Sequence, residues 1–96
     1  MSKEEEGKFR CNPDGFTAGK GFTMTFANGN TVSVQWHQGS YSDGRTDAEI
    51  AAWTSRGWWH QFPEGDKVKG WVRSDEVAEF IQWVASNELN IGEKKR

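Results

Sequence analysis

The sequence is short of several residue types: it has one cysteine, two prolines, a single leucine and no long hydrophobic run. Because Cys11 has no second cysteine to pair with, an intrachain disulfide is excluded and a reducing compartment is expected. No apolar segment approaches the ~20 residues that a membrane span needs, and none follows the N-terminus as in a signal peptide. The sequence therefore predicts neither a membrane protein nor a secreted one.

Basic residues do not dominate the charge. The net charge is −2 and the sequence pI is about 5.6, whereas proteins that bind duplex nucleic acid usually carry a basic stripe. Duplex nucleic acid is therefore not an expected partner.

Aromatic residues supply much of the apolar bulk, with six tryptophans and six phenylalanines in 96 residues. A chain of this length forms one domain. Residues 1–8 and 92–96 are rich in charge and almost free of apolar side chains, so both are predicted to be disordered tails. The sequence thus predicts a single domain over residues 9–91.

The clearest local pattern is a β-hairpin in which residues 22–26 and 32–36 both alternate apolar with polar. A three-residue loop at 28–30, with a residue in the left-handed region, places the apolar side chains of both strands on one face. The predicted pairs are Phe26 with Val32, Met24 with Val34, and Phe22 with Trp36.

Residues 47–56 fit either a helix or a strand. A capping-box pattern at 46–49 and two alanines favour a helix, with Gly57 as its end. The strand alternative turns at 55–57 into a second strand over 58–62, pairing Ile50 with Phe62 and Trp53 with Trp59. We favour this hairpin because residues 58–62 are strand-like and need a partner. A turn at 63–66 then leads to a strand over 67–72, with Val68 and Val72 inward.

Residues 74–87 predict a helix, with Ser74 as its N-cap and acidic residues in its first turn. An apolar stripe with helical spacing is formed by Val77, Phe80, Ile81 and Val84. The predicted fold is therefore α+β: a sheet of about five largely antiparallel strands (two hairpins plus one strand) with a C-terminal helix packed on one face.

Catalysis is not indicated. His37 and His60 both occupy strand positions, and Cys11 lies in a segment with little to position it. A nucleophile needs a base and an orienting group within hydrogen-bond reach, and no spacing suggests such a set. Cys11, His37 and His60 also lack the short-range ligand pairs typical of zinc sites. We expect neither an enzyme, nor a bound metal, nor a cofactor.

The predicted site is the outer sheet face, where strand alternation directs three tryptophans away from the core. An exposed aromatic row is unfavourable in water, so something is expected to cover it. Four candidates could shield the rings from water: a partner protein, a second copy of the chain, a nucleotide-like ligand stacked on the rings, or the chain's own segments 9–16 and 38–46. The predicted binding residues are Trp53, Trp59, Trp71, Gln61, Lys69 and Arg73.

Residues 22–41 (FTMTFANGNTVSVQWHQGSY), with AEIA at 48–51, VKG at 68–70 and SDEV at 74–77, resemble a group of small tailed-phage proteins. The resemblance covers about residues 22–84. More distantly, the pattern is similar to the Thoeris anti-defence proteins, which sequester a cyclic ADP-ribose signal. No binding residue of that family is carried over to this sequence, and His37-Gln38 replaces the glycine-rich turn expected after the second strand.

The resemblance implies a phage origin. We expect a phage-encoded accessory protein that acts in the host cytoplasm by stoichiometric binding. Inhibition of a host protein through the aromatic face is the preferred function. Sequestration of a nucleotide signal and a minor structural role in the virion are the alternatives.

Overall fold

A computed structural model describes residues 8–11, 20–37, 42 and 47–91, the first of these ranges by its backbone alone. The described chain forms a sheet followed by a helix, which confirms the α+β class. Its elements are β1 (Lys8–Cys11), β2 (Gly21–Thr25), β3 (Thr31–Gln35), β4 (Asp47–Trp53), β5 (Lys69–Arg73) and α1 (Ser74–Ser86).

The strands lie in the order β1-β2-β3-β4-β5, and every neighbouring pair is antiparallel. Four of the five predicted strands are present, as β2 to β5. Residues 58–62 do not form the predicted strand, because β5 occupies the edge of β4 at Asp47–Ile50 and leaves only a single bridge between Trp53 and Trp59. Strand β1 was not predicted, and it includes Lys8 from the proposed tail.

The first hairpin has the predicted turn type but a different loop. The N–H of Gly29 donates to the carbonyl of Phe26 at 2.9 Å, and Gly29 takes the positive φ of 92°. The loop is therefore 27–29 rather than 28–30, because glycine adopts the left-handed region at the lowest cost. Met24 consequently pairs with Val32, and Phe22 with Val34. This shift of two residues preserves the face on which each side chain lies.

The second hairpin turn was predicted correctly. Residues 47–53 form a strand, not a helix, and the loop 55–57 places Gly57 at a φ of 87°. The N–H of Gly57 donates to the carbonyl of Thr54, and the N–H of His60 donates to the carbonyl of Ala52, both at 2.8 Å. The predicted Ile50–Phe62 pair does not form, because Ile50 pairs with Lys69 of β5 instead.

Helix α1 begins at Ser74, so Arg73 is the N-cap residue rather than Ser74. The Glu76 carboxylate accepts a bond of 3.4 Å from the Arg73 N–H. The C-terminus has no glycine cap: the side-chain amide of buried Asn30 donates to the carbonyls of Val84 and Asn87 at 3.1 and 2.8 Å. The first hairpin thereby satisfies carbonyl groups at the helix end. No described helix has the length and hydropathy that crossing a bilayer requires.

The core lies between the sheet and α1, and the predicted helix stripe faces it. Val32 and Val84 are fully buried, and Phe80 and Ile81 contact both halves of the core. Val68 is only half-buried and lies outside β5, contrary to its predicted inward strand position. The core also contains Ala48, Ala52 and Phe62. All the other predicted inward sheet residues belong to it: Phe22, Met24, Phe26, Val32, Val34, Trp36, Ile50 and Val72.

Candidate functional site: the tryptophan surface

We define the tryptophan surface as Trp53, Trp59 and Trp71. In β4, Ala48, Ile50 and Ala52 face the helix, so Trp53 alternates to the opposite face. Its bridge partner Trp59 lies on the same side, because residues directly opposite in an antiparallel pair share a face. The structure therefore brings together two of the three predicted tryptophans.

Trp53 and Trp59 form a tilted ring pair. Their ring centroids are 4.9 Å apart, with 34° between the ring planes. Trp53 is half-buried and Trp59 is 40% exposed. Ser33 and Ala51, which pair across β3 and β4 on this same face, are both buried. The residues at the centre of the outer face are therefore shielded from solvent. Of the two rings in the Trp53–Trp59 pair, Trp59 is the more exposed to solvent.

Trp71 lies in an irregular part of β5. The pairs Ile50–Lys69 and Ala48–Val72 leave one extra residue in β5, which is a β-bulge. Trp71 adopts a φ of 57°, a conformation that bulky residues rarely take. Its side chain is 61% exposed and has no ring contact with another described aromatic residue. Trp71 is therefore part of the bulge, and it extends into solvent next to the inward Val72, as strand alternation predicts.

Two predicted neighbours of the tryptophans lie on the other side of the sheet. Lys69 is opposite Ile50, and both Lys69 and Gln61 line a cleft beside α1. Their predicted place on the outer face is wrong, because the bulge shifts the alternation of β5 and residues 60–62 leave the sheet. Arg73 is exposed and pairs with Asp47, which alternates to the outer side. Of the two predicted cations, only Arg73 remains on that face.

The cleft beside α1 was not predicted. It has a volume of about 400 Å³ and is lined by His60, Phe62, Phe80 and Trp83 among others. The inward position of His60 and the spacing of Trp83 three residues after Phe80 were the available sequence signals. Strand alternation alone could not show that residues 60–62 leave the sheet and lie against the helix.

The predicted intrachain cover of the tryptophans, formed by segments 9–16 and 38–46, falls largely outside the described residues.

Within the described segments, no group of three or more His, Cys, Asp or Glu side chains could hold a metal ion. The chain matches no protein-family model, no curated protein and no solved structure.

Proposed function

We propose that this chain is a small phage-encoded accessory protein that binds a host protein stoichiometrically in the host cytoplasm. The tryptophan surface is the binding site, and the protein performs no chemistry on its partner. The phage origin and the location rest on the sequence resemblance, and the binding role rests on the surface itself.

The observation that carries the proposal is the exposure of Trp59 and Trp71, 40% and 61%, on the outer side of the sheet. Tryptophan is among the commonest anchors of protein interfaces, since burying its ring against a partner removes a large apolar area from water. The positive φ of Trp71 adds to this argument. Strained backbone at an exposed large side chain costs stability, and such strain is often found at functional sites.

Sequestration of a nucleotide signal is the alternative function, and the geometry supports it less well. The rings of Trp53 and Trp59 already contact each other, with centroids 4.9 Å apart, so no base can insert between them. A base would have to stack on the outer side of Trp59. Lys69, one of the two cations expected to hold phosphates, lies in the cleft on the opposite side of the sheet.

An alanine series tests the proposal: Trp53→Ala, Trp59→Ala and Trp71→Ala, with Trp58→Ala as the matched control. Trp58 is 46% exposed and lines a separate cleft with Leu89 and Asn30 on the helix side. Each variant is measured by thermal melting, by sedimentation and by capture of a host protein from lysate followed by titration with that purified protein. Loss of an interface anchor costs about 2 kcal/mol or more, which is about thirtyfold in affinity.

We expect Trp59→Ala and Trp71→Ala to stay folded and monomeric but to lose the captured protein, while Trp58→Ala keeps it. Unfolding of all three outer variants would show instead that the rings form a second core. Folded variants that lose an oligomer would identify an interface between copies of this chain. A nucleotide extracted from the purified protein, or co-purification with virions, would support one of the alternative functions.

A further inference from the structure

The cleft beside α1 combines an aromatic lining with a few polar groups. Its volume of about 400 Å³ is within the usual range of small-molecule sites, which are mostly apolar with a small number of placed polar groups. The cleft lies on the helix side of the sheet, whereas the tryptophan surface lies on the other. A ligand in the cleft would therefore be independent of the proposed host partner.

His60 supplies a hydrogen-bond donor to this cleft. The side chain is only 7% exposed, and its Nδ1 accepts a 3.0 Å bond from the N–H of Asn90, which puts the proton of the neutral ring on Nε2. Burial lowers the pKa of His60, which favours this neutral form. Nε2 has no hydrogen-bond partner among the described residues, and it is not sealed from solvent. Its N–H is thus available to an acceptor in the cleft.

Aromatic rings form the walls around this donor. The His60 ring lies 4.8 Å from Phe62 in an edge-to-face arrangement and 5.2 Å from Trp83. Phe80 and Trp83 are nearly parallel, with 13° between their planes and centroids 6.3 Å apart. Trp83 is 38% exposed, so one ring of the wall is accessible from solvent. These faces suit a planar ring and attract a cation.

Charge favours a positive ligand. Glu76 and Glu79 line the cleft on the side of α1, against a single lysine, Lys69. Since His60 is neutral, the formal charge of the lining is −1. The rest of α1 makes the surroundings of the cleft more negative, because Asp75 is also acidic and the helix contains no basic residue. A ligand ammonium would gain from both the carboxylates and the ring faces.

We infer that the cleft binds a small aromatic amine that also carries a hydrogen-bond acceptor. The ring packs against Phe62, Phe80 and Trp83, the acceptor receives the His60 Nε2 proton, and the ammonium group lies toward Glu76 and Glu79. This site and its ligand class go beyond the proposed binding of a host protein.

Titration of the full chain with tyramine, followed by NMR of the Trp83 indole and the His60 ring, tests this inference. We expect saturable 1:1 binding with shifts confined to the cleft. Phenethylamine lacks the phenol oxygen and should bind about two- to tenfold more weakly, the value of one hydrogen bond. Tyrosol lacks the ammonium group and should also bind more weakly.

Two variants test the hydrogen-bond donor of His60 and the charge of Glu79 separately. His60→Asn keeps an acceptor for the Asn90 N–H but removes the Nε2 donor, so tyramine binding should weaken while phenethylamine binding changes little. Glu79→Gln removes a cleft charge at constant size and should weaken both amines by about tenfold, a typical effect of losing one close charge. Asp75→Asn removes the same charge from the same helix outside the cleft lining and is the matched control.

Three results would overturn the inference. The first is no saturable tyramine binding up to about 10 mM, a concentration well above a weak millimolar site. The second is equal weakening by Asp75→Asn and Glu79→Gln, which would show a non-local charge effect. The third is tighter binding of AMP than of tyramine, which would show that the cleft prefers anions.

Discussion

At the scale of single residues, Trp71 is the main departure from favourable local structure. It is the only described residue other than glycine with a positive φ, and its side chain is largely exposed. An L-residue in this region loses about 1–2 kcal/mol relative to the right-handed form. Since the side chain is 61% exposed, its burial offsets only part of this loss.

The strain predicts an order of stability between two variants. Trp71→Gly should be more stable than Trp71→Ala by about 1 kcal/mol, because glycine takes a positive φ without a steric penalty and alanine does not. Urea unfolding of both variants measures the difference. Equal stability, or greater stability of the alanine variant, would mean that the bulge backbone at this position is unstrained in solution.

His60 predicts a pH dependence of stability. Burial lowers its pKa in the folded state below the usual 6.5, so the unfolded state binds the proton more readily. The free energy of unfolding should therefore be highest above about pH 6.5 and fall as the pH drops through the folded-state pKa. Urea midpoints of the wild type and of His60→Asn, compared between about pH 7.5 and 5, measure this contribution. An identical pH slope in both proteins would contradict it.

At the scale of elements, hydrogen bonds connect the first hairpin to the C-terminal end of α1. The Asn30 side chain is buried and bridges two carbonyls at the helix C-terminus, and the exposed Asn28 amide also donates to the Val84 carbonyl at 3.0 Å. The turn therefore acts as the helix cap, in place of the glycine that commonly ends a helix.

Asn30→Ala should lower the free energy of unfolding by about 1–3 kcal/mol, because the Asn87 carbonyl loses its side-chain donor and the Val84 carbonyl keeps only the Asn28 amide. Asn28→Ala is the comparison variant: it removes a bond donated to the same Val84 carbonyl and a 3.0 Å bond accepted from the Asn30 N–H. Its cost should be smaller, because the Val84 carbonyl keeps the Asn30 amide and the Asn28 side chain is exposed. Urea unfolding of both variants, read by circular dichroism, gives the two values. A larger loss for Asn28→Ala would show that the buried amide is not the principal cap.

At the scale of the whole molecule, the sheet separates two surfaces of different chemistry. The tryptophan surface presents the exposed rings of Trp59 and Trp71 on the outer face, which also carries Arg73, and the cleft beside α1 has two carboxylates in its lining. Flat aromatic surfaces suit a macromolecule and concave ones suit a small ligand. A protein with this arrangement could bind both partners at once without steric competition.

We also predict that the whole molecule works without a metal ion. Native mass spectrometry and metal analysis of untagged protein should find no stoichiometric metal, because Cys11, His37 and His60 lack the short-range ligand pairs typical of zinc sites. Stoichiometric zinc or iron would contradict this prediction and would direct attention to Cys11, whose side chain lies outside the described part.

The sequence by itself determined the local elements. Alternation identified β2, β3 and the inward side chains of the first hairpin, and the stripe from Val77 to Val84 identified the helix face. The strand interpretation of residues 47–53 was preferred over a helix, and β5 was predicted with its alternation out of register at Val68 and Lys69. The glycines at 29 and 57 indicated both turns, since each takes the positive φ that its turn type requires. These features depend on neighbours within a few residues, so the sequence pattern carries them.

Only the tertiary structure decided which segment pairs with β4 and where the bulge falls. Residues 58–62 and β5 both suit the same edge of β4, and a strand edge accepts one partner at each position. Because β5 pairs at Asp47–Ile50, residues 60–62 leave the sheet and close the aromatic cleft against α1. The bulge at Trp71 then shifts Lys69 to the helix side. These outcomes depend on contacts between segments far apart in the chain, which periodicity in the sequence does not record.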